Sequence, residues 1–176
     1  MFTLLKKGLP AMSFDMISKT PEGGFYIGKE GGVLNAIIGS LYLALSSSVL
    51  ALIISLPIVV YINIYLKKIS GLGSVTRLSY DVLFGIPSIV YGAFGFTIMM
   101  YFGLKASLLG GIIAVTLLVI PIMIRTMDEV MRTVPKELLD ASYSLGATRL
   151  ETVKILIRQS APGIFTAILL SFGRAI

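Results

Sequence analysis

The sequence of 176 residues has no cysteine and no histidine, and only 14% of it is charged. Without cysteine there is neither a disulfide framework nor a thiolate metal site. Without histidine there is no imidazole acid–base chemistry and no imidazole metal ligand. A typical soluble domain has about 25% charged and about 45–50% apolar residues. Here the apolar set reaches 56%, and mean hydropathy is +0.92. This balance argues against a soluble enzyme and equally against disorder. The net charge of +6 raises nucleic acid as a partner. The basic residues, however, lie between apolar runs rather than along one polar face, so no nucleic-acid partner is expected. No nucleophile–base pair or metal constellation is present, and no catalytic residue, cofactor or metal is expected.

What the sequence does have is long uncharged runs. Leu34–Leu66, Val82–Leu104 and Ala106–Ile124 contain no formal charge. A helix needs about 20 apolar residues to cross the hydrocarbon core. The second and third runs predict one crossing each. The first is too long for one straight span and contains Pro57, so its early part, as far as Ser46-Ser47-Ser48, is expected to leave the bilayer or pack against protein. A fourth run from Ala161 meets Arg174 before it could span. The short alternating segments of a β-barrel are absent. Lys6-Lys7 follow too little apolar sequence for a cleavable signal. The fold class expected is all-α, a polytopic transmembrane helical bundle.

Lys and Arg in the connections set the orientation. Lys67, Lys68 and Arg77 mark 67–81 as cytoplasmic, and Arg125, Arg132, Lys136, Arg149, Lys154 and Arg158 mark 125–160 likewise. The 104–106 turn, with Lys105 alone, is external. Parity places residues 1–33 outside, against the weak pull of Lys6, Lys7, Lys19 and Lys29. An earlier span ending in Met1–Leu5 would remove the conflict. The expected division is an external segment, 1–33, and a transmembrane domain, 34–176.

The 125–160 connection is long for an inter-helix loop and rich in leucine. Pro135 suits a first helical turn. Leu138, Ala141, Ser142 and Leu145 share a helical face. Gly146 suits a left-handed C-terminal cap, and Thr148 with Glu151 forms a capping box opening a second helix faced by Leu150, Val153 and Ile157. The reading is helix, sharp turn, helix, either closing the bundle or docking into a cytoplasmic partner.

Asp140-Ala141-Ser142-Tyr143-Ser144-Leu145-Gly146-Ala147-Thr148-Arg149 resembles the EAA loop, E-A-A-x-x-x-G, of ABC importer permeases. The flanks Arg125–Glu129 and Val134–Leu138 agree with it. Asp140 stands where Glu is usual, and Arg158-Gln159 stand where an apolar residue and Pro often follow. Gly31–Ser40, Gly85-Ile86-Pro87-Ser88-Ile89-Val90-Tyr91-Gly92 and Phe172-Gly173-Arg174-Ala175 resemble segments of phosphate permeases of the PstA type. Against that pattern of six helices, the sequence is expected to hold the second, third and fourth, the EAA loop and the start of the fifth, without the first and last.

The resemblance implies a subunit of the cell inner membrane, multi-pass, that is no enzyme itself. Its partners would be an ATP-binding cassette ATPase, a homologous permease subunit, a periplasmic or extracellular phosphate-binding protein and the lipid membrane. It assigns ATPase coupling to Asp140, Ala141, Ser142, Gly146, Ala147 and Arg149, with Gly146 as the bend. Lys136 is an alternative partner for Asp140 at i−4. The resemblance also puts Arg174 in the substrate pathway, where a guanidinium suits phosphate oxygens. Ser88 and Tyr91, beside a Pro87 break, are further neutral donors for an anion, or else mark a plain kink. Asn63, Thr97 and Thr116 are expected to hydrogen-bond between helices, and Asp81 to start one. The alternatives are a permease for another oxyanion and a truncated, non-transporting membrane scaffold.

Overall fold

The computed structural model describes residues 13–21, 31–66, 71–103 and 107–176, with Thr3, Lys6 and Gly8 in isolation. The expectations resting on Lys67, Lys68 and Lys105, and all but Thr3 of the Met1–Leu5 reading, fall outside the described residues. Two compact units are present, Met1–Tyr42 and Leu43–Ile176.

In the first unit a short helix, α1 (Phe14–Ser18), carries a Lys19–Asp15 ion pair of 2.8 Å. Gly32 donates to the Thr20 carbonyl, and Val33 to that of Met16. A Cβ on Gly32 would collide with the carbonyl oxygens of Lys19, Met16 and Asp15, so only glycine allows this approach.

The remaining elements are α2 (Leu34–Val60) with a π-helical turn Tyr61–Tyr65, α3 (Gly71–Gly85), α4 (Ser88–Tyr101), α5 (Leu108–Thr133), α6 (Lys136–Ser144) and α7 (Arg149–Ala175). There is no strand among the described residues. Leu34–Tyr65, Leu108–Thr133 and Arg149–Ala175 are long and apolar enough to cross a membrane, and the α3–α4 pair makes a fourth crossing if taken as one broken span.

In the second unit α5 is the central helix. It packs against α7, α4, α3 and the π-turn. Its residues Pro121 to Ile124 are buried one after another, on every face. Matched positions give the directions. Leu43 meets Gly111 while Asn63 meets Asp128, so α2 runs parallel to α5. Arg77 meets Asp128, Asp81 meets Arg125 and Gly95 meets Ala114, so α3 and α4 run antiparallel to it. The ends of α2, α3 and α5 that carry Asn63, Arg77 and Asp128 therefore lie together, beside the 125–160 segment. This alternation is what successive crossings require.

The inner faces of the outer helices are small and weakly polar. Ala44, Ser47, Ser48, Ala51, Ser55 and Val59 are buried on α2; Thr152, Leu156, Ser160, Ile164, Ala167 and Ser171 are buried on α7. Large apolar side chains such as Ile53, Ile89, Phe96 and Leu169 face outward. Small side chains let helix backbones approach closely, and lipid solvates the large ones. Ser47 and Ser48 thus pack against protein, one of the two outcomes expected of the serine cluster.

Several expected boundaries are corrected. Residues 71–85 are helix rather than loop, so Asp81 sits inside α3 instead of starting a helix. The Val82–Leu104 run is no single straight helix: Ile86-Pro87 separates α3 from α4, with a bend of 94°. Pro87 is extended (φ −58°, ψ 139°), which stops the helix there. Charged Arg125, Asp128, Glu129 and Arg132 all lie on α5, which continues to Thr133 because they find partners or edge positions along it. The expected second coupling helix and the Ala161 run are one helix, α7, passing through Pro162.

Candidate functional site

The helix–turn–helix of the 125–160 segment forms as the sequence spacing predicts. After α6, the Gly146 N–H donates to the Tyr143 carbonyl at 2.9 Å and the Ala147 N–H to that of Ser142 at 3.0 Å. This paired closure needs a left-handed residue, and Gly146 supplies it at φ +81°. Thr148 then opens α7. Its N–H donates to the Glu151 carboxylate at 2.7 Å, and the Glu151 N–H returns a bond of 3.4 Å to the Thr148 hydroxyl. The elbow therefore satisfies its own backbone at both helix ends.

The outer side of the elbow is open. No atom lies within 4 Å of the position a Cβ would take on Gly146. Ala141, Asp140 and Arg149 are exposed and Ala147 is half-buried. Leu145 is 89% exposed and Leu150 69%. Leu138, Ala141 and Leu145 on the first expected face are thus exposed, while on the second Leu150 is exposed, Val153 is half-buried and Ile157 packs against the core. The face that packs inward is built on small groups instead. Ser142 is turned into it, donates to the Leu139 carbonyl at 2.7 Å and lies 3.1 Å from the Thr152 hydroxyl on α7. Ser142 consequently belongs to the joint between the two helices, not to the exposed surface. No ion pair joins Asp140 to Lys136; both line a small cavity with Asn63 and Tyr143. The Arg149 guanidinium lies over the Tyr65 ring, 5.6 Å from its centroid, tying the elbow to the π-turn.

Beside the elbow lies a polar node that the sequence reading passed over. Asp128 on α5 is 2% exposed. Its carboxylate accepts from Asn63 Nδ2 at 2.8 Å, from Arg77 Nε at 3.0 Å and from the Tyr80 hydroxyl at 2.6 Å. Asn63 also donates to the Val59 carbonyl at 2.9 Å. The widened π-turn brings Asn63 to this point, and Arg77 and Tyr80 lie three residues apart on one face of α3. A buried carboxylate persists only when paired and hydrogen-bonded in this way. The available signal was spacing: Pro121, Ile124, Asp128 and Met131 share a helical face, and the charge interrupts it. Asn63 does bond between helices, as expected. Thr97 and Thr116 do not; each donates to its own helix, to the Ala93 and Ile112 carbonyls. A hydroxyl four residues after a carbonyl finds it without needing a neighbour.

The remaining candidates lie at the bend. Ser88 is the exposed first residue of α4. Tyr91 donates to the Leu83 carbonyl at 2.9 Å, across the break from α4 to α3, so its proton is already used. Arg125 pairs with Asp81 at 3.6 Å and lies 4.8 Å over the Phe84 ring; Arg174 lies 5.9 Å over the same ring. The structure thus brings Arg174 to the α3 side of the bend. It does not bring Arg174, Ser88 or Tyr91 to the elbow. No group of acidic side chains suited to a metal is present among the described residues.

The family model described as the binding-protein-dependent transport system inner membrane component matches residues 24–176. The chain belongs to this family. The family is one of inner-membrane components, and the described residues are all-α. It is similar to the phosphate transport system permease protein PstA of Pasteurella multocida, 37% identical over 179 residues, covering 99% of this chain and 61% of that protein. To PstA of Xylella fastidiosa (strain Temecula1) it is 34% identical, covering 98% and 59%. To the probable ABC transporter permease protein YqgI of Bacillus subtilis it is 30% identical, covering 97% and 58%. The chain spans less than two thirds of the length of these curated relatives.

Proposed function

We propose that this chain forms part of the transmembrane permease subunit of an ATP-driven phosphate importer. The observation that carries the reading is the elbow: a self-capped helix–turn–helix at one end of an apolar bundle, with its outer apolar side chains Leu145 and Leu150 exposed among the described residues. Such a unit suits helix-in-groove docking. The docking partner proposed is an ATP-binding cassette ATPase, where hydrolysis would occur. Gly146 makes the bend, Ala141 and Ala147 allow close approach, Asp140 and Arg149 supply polar contacts, and Ser142 holds the two helices together. Closure of the ATPase would push on the elbow and change the access of the helices. A homologous permease subunit would complete the pathway, and a phosphate-binding protein would deliver substrate.

Phosphate as substrate rests on the likeness to the PstA proteins. Arg174 is the proposed pathway cation, since a guanidinium binds phosphate oxygens bidentately. Ser88 is a proposed neutral donor there, and Tyr91 holds the bend that positions it. The test is ATP- and binding-protein-dependent uptake of inorganic phosphate by the assembled transporter in proteoliposomes. Gly146→Trp should abolish uptake and coupled ATP hydrolysis; Arg174→Ala should abolish uptake alone. Parent-like uptake in both variants would overturn both assignments. Uptake of a competing oxyanion in place of phosphate, or no uptake by the parent, would replace phosphate by that anion or by a non-transporting scaffold.

A further inference from the structure

We infer that Asp128 is a positioning residue that makes the elbow-bearing end of α5, the π-turn and α3 move as one body, so that a push on the elbow reaches the bend before α4. The inference rests on the coupling role proposed above. The carboxylate of Asp128 collects donors from two separate elements, the π-turn and α3. It lies six residues before Val134, the buried end of α5 that leads through Pro135 into α6. On the other side, Tyr80 and Arg77 stand within three turns of the α3–α4 break.

Separation of α3 from α5 would strip donors from a buried charge, which is far costlier than loss of an exposed pair. Sliding is opposed by direction as well. Arg77, Tyr80 and Asn63 approach the same carboxylate from different helices, so a shift that relieves one bond lengthens another. The elbow is joined to this body by Val134-Pro135 and by the Arg149 guanidinium over the Tyr65 ring, 5.6 Å from its centroid, and Asn63, Arg77, Lys136 and Leu139 line one shared cavity of about 390 Å³. The break at Ile86-Pro87 is spanned by one side-chain bond, Tyr91 to the Leu83 carbonyl. A body made stiff at Asp128, joined to the elbow on one side and ending at the Ile86-Pro87 break on the other, sends displacement to the break. The pairs Arg125–Asp81 and Arg125 over Phe84 continue the same link along α3.

The experiment uses the assembled transporter in lipid nanodiscs and proteoliposomes, with Asp128→Asn and Tyr80→Phe beside the parent. Tyr80→Phe removes one donor while keeping the ring, and serves if Asp128→Asn does not fold. Spin labels at exposed positions 79 on α3 and 137 on α6 report the distance between node and elbow, with and without a trapping ATP analogue. In the parent that distance distribution should stay narrow and unshifted by nucleotide. In both variants it should broaden, while ATP hydrolysed per phosphate imported rises by at least about fivefold, the low end of measured coupling between sites. Narrow, parent-like distances together with a parent-like ratio in both variants would overturn the inference. So would a parent in which nucleotide changes the 79–137 distance. Absence of phosphate uptake by the parent is read separately and removes the phosphate assignment; the distance measurement still decides the role of Asp128.

Discussion

The hydroxyls of Ser142 and Thr152 lie 3.1 Å apart, one from each helix of the elbow, and both are buried. Ser142→Ala removes the bonds to the Leu139 carbonyl and the Thr152 hydroxyl but no volume that matters, and should cost about 1 kcal/mol. Ser142→Leu inserts volume where two backbones meet, and should cost about 1–3 kcal/mol. Thermal unfolding of the assembled transporter in detergent checks the order. A Leu variant as stable as the Ala variant would show that the joint is not tight.

Gly146 separates backbone from surface effects, because φ is +81° and the space around its Cβ position is empty. Gly146→Ala should cost about 1 kcal/mol of backbone strain. Gly146→Asn, which tolerates this region better, should recover part of it. Gly146→Trp should fold as Ala does yet fail to retain the ATPase subunit. Co-purification of that subunit, measured beside unfolding, tells the two effects apart. Equal retention with Trp and Asn would place the docking surface elsewhere.

Gly163 on α7 faces Val130 on α5, and a Cβ there would collide with both Val130 methyl carbons. Gly163→Val should therefore destabilise the α5–α7 pair, by about 1–3 kcal/mol. Val130→Ala in the same chain should restore part of the loss, since neighbouring sites are not additive. Additive effects in a double-mutant cycle would rule out the direct contact.

Among the described residues, the buried hydroxyls of Ser160 and Ser171 have no hydrogen-bond partner. Replacement by alanine should leave stability unchanged or raise it slightly, because an unsatisfied polar atom is removed. Replacement by leucine should be disruptive, because these positions face neighbouring helices. A clear loss with Ser160→Ala would mean that its hydroxyl meets a polar group in the intact complex.

The elbow was legible in the sequence because its signals are local. Pro135, Gly146 and the Thr148–Glu151 box each act within one turn of chain; Gly146 and the box are found where spacing placed them, and Pro135 stands one residue earlier, as the extended residue before α6. The faces of α6 and α7 were only partly so, because spacing groups exposed Leu150 with Ile157, which packs against the core. In a membrane protein the inward stripe is Thr152, Leu156 and Ser160. The node was harder still. Asn63, Arg77, Tyr80 and Asp128 are far apart in the chain, and they meet only because α2 runs with α5 while α3 runs against it. Asp128 standing among Pro121, Ile124 and Met131 was the single local hint. The break at Pro87 was visible, but its 94° bend depends on α4 finding α5 through Gly95 and Ala114.

The bonds that close the Gly146 turn, and those that open α7 at Thr148, are all made within the chain itself. The proposed ATPase would therefore meet the elbow already at its working shape. The ordering that a floppy loop would undergo on association has taken place during folding. Encounter with it would then be limited by diffusion and orientation rather than by a folding step, and contact could be made and released repeatedly without the elbow being rebuilt each time.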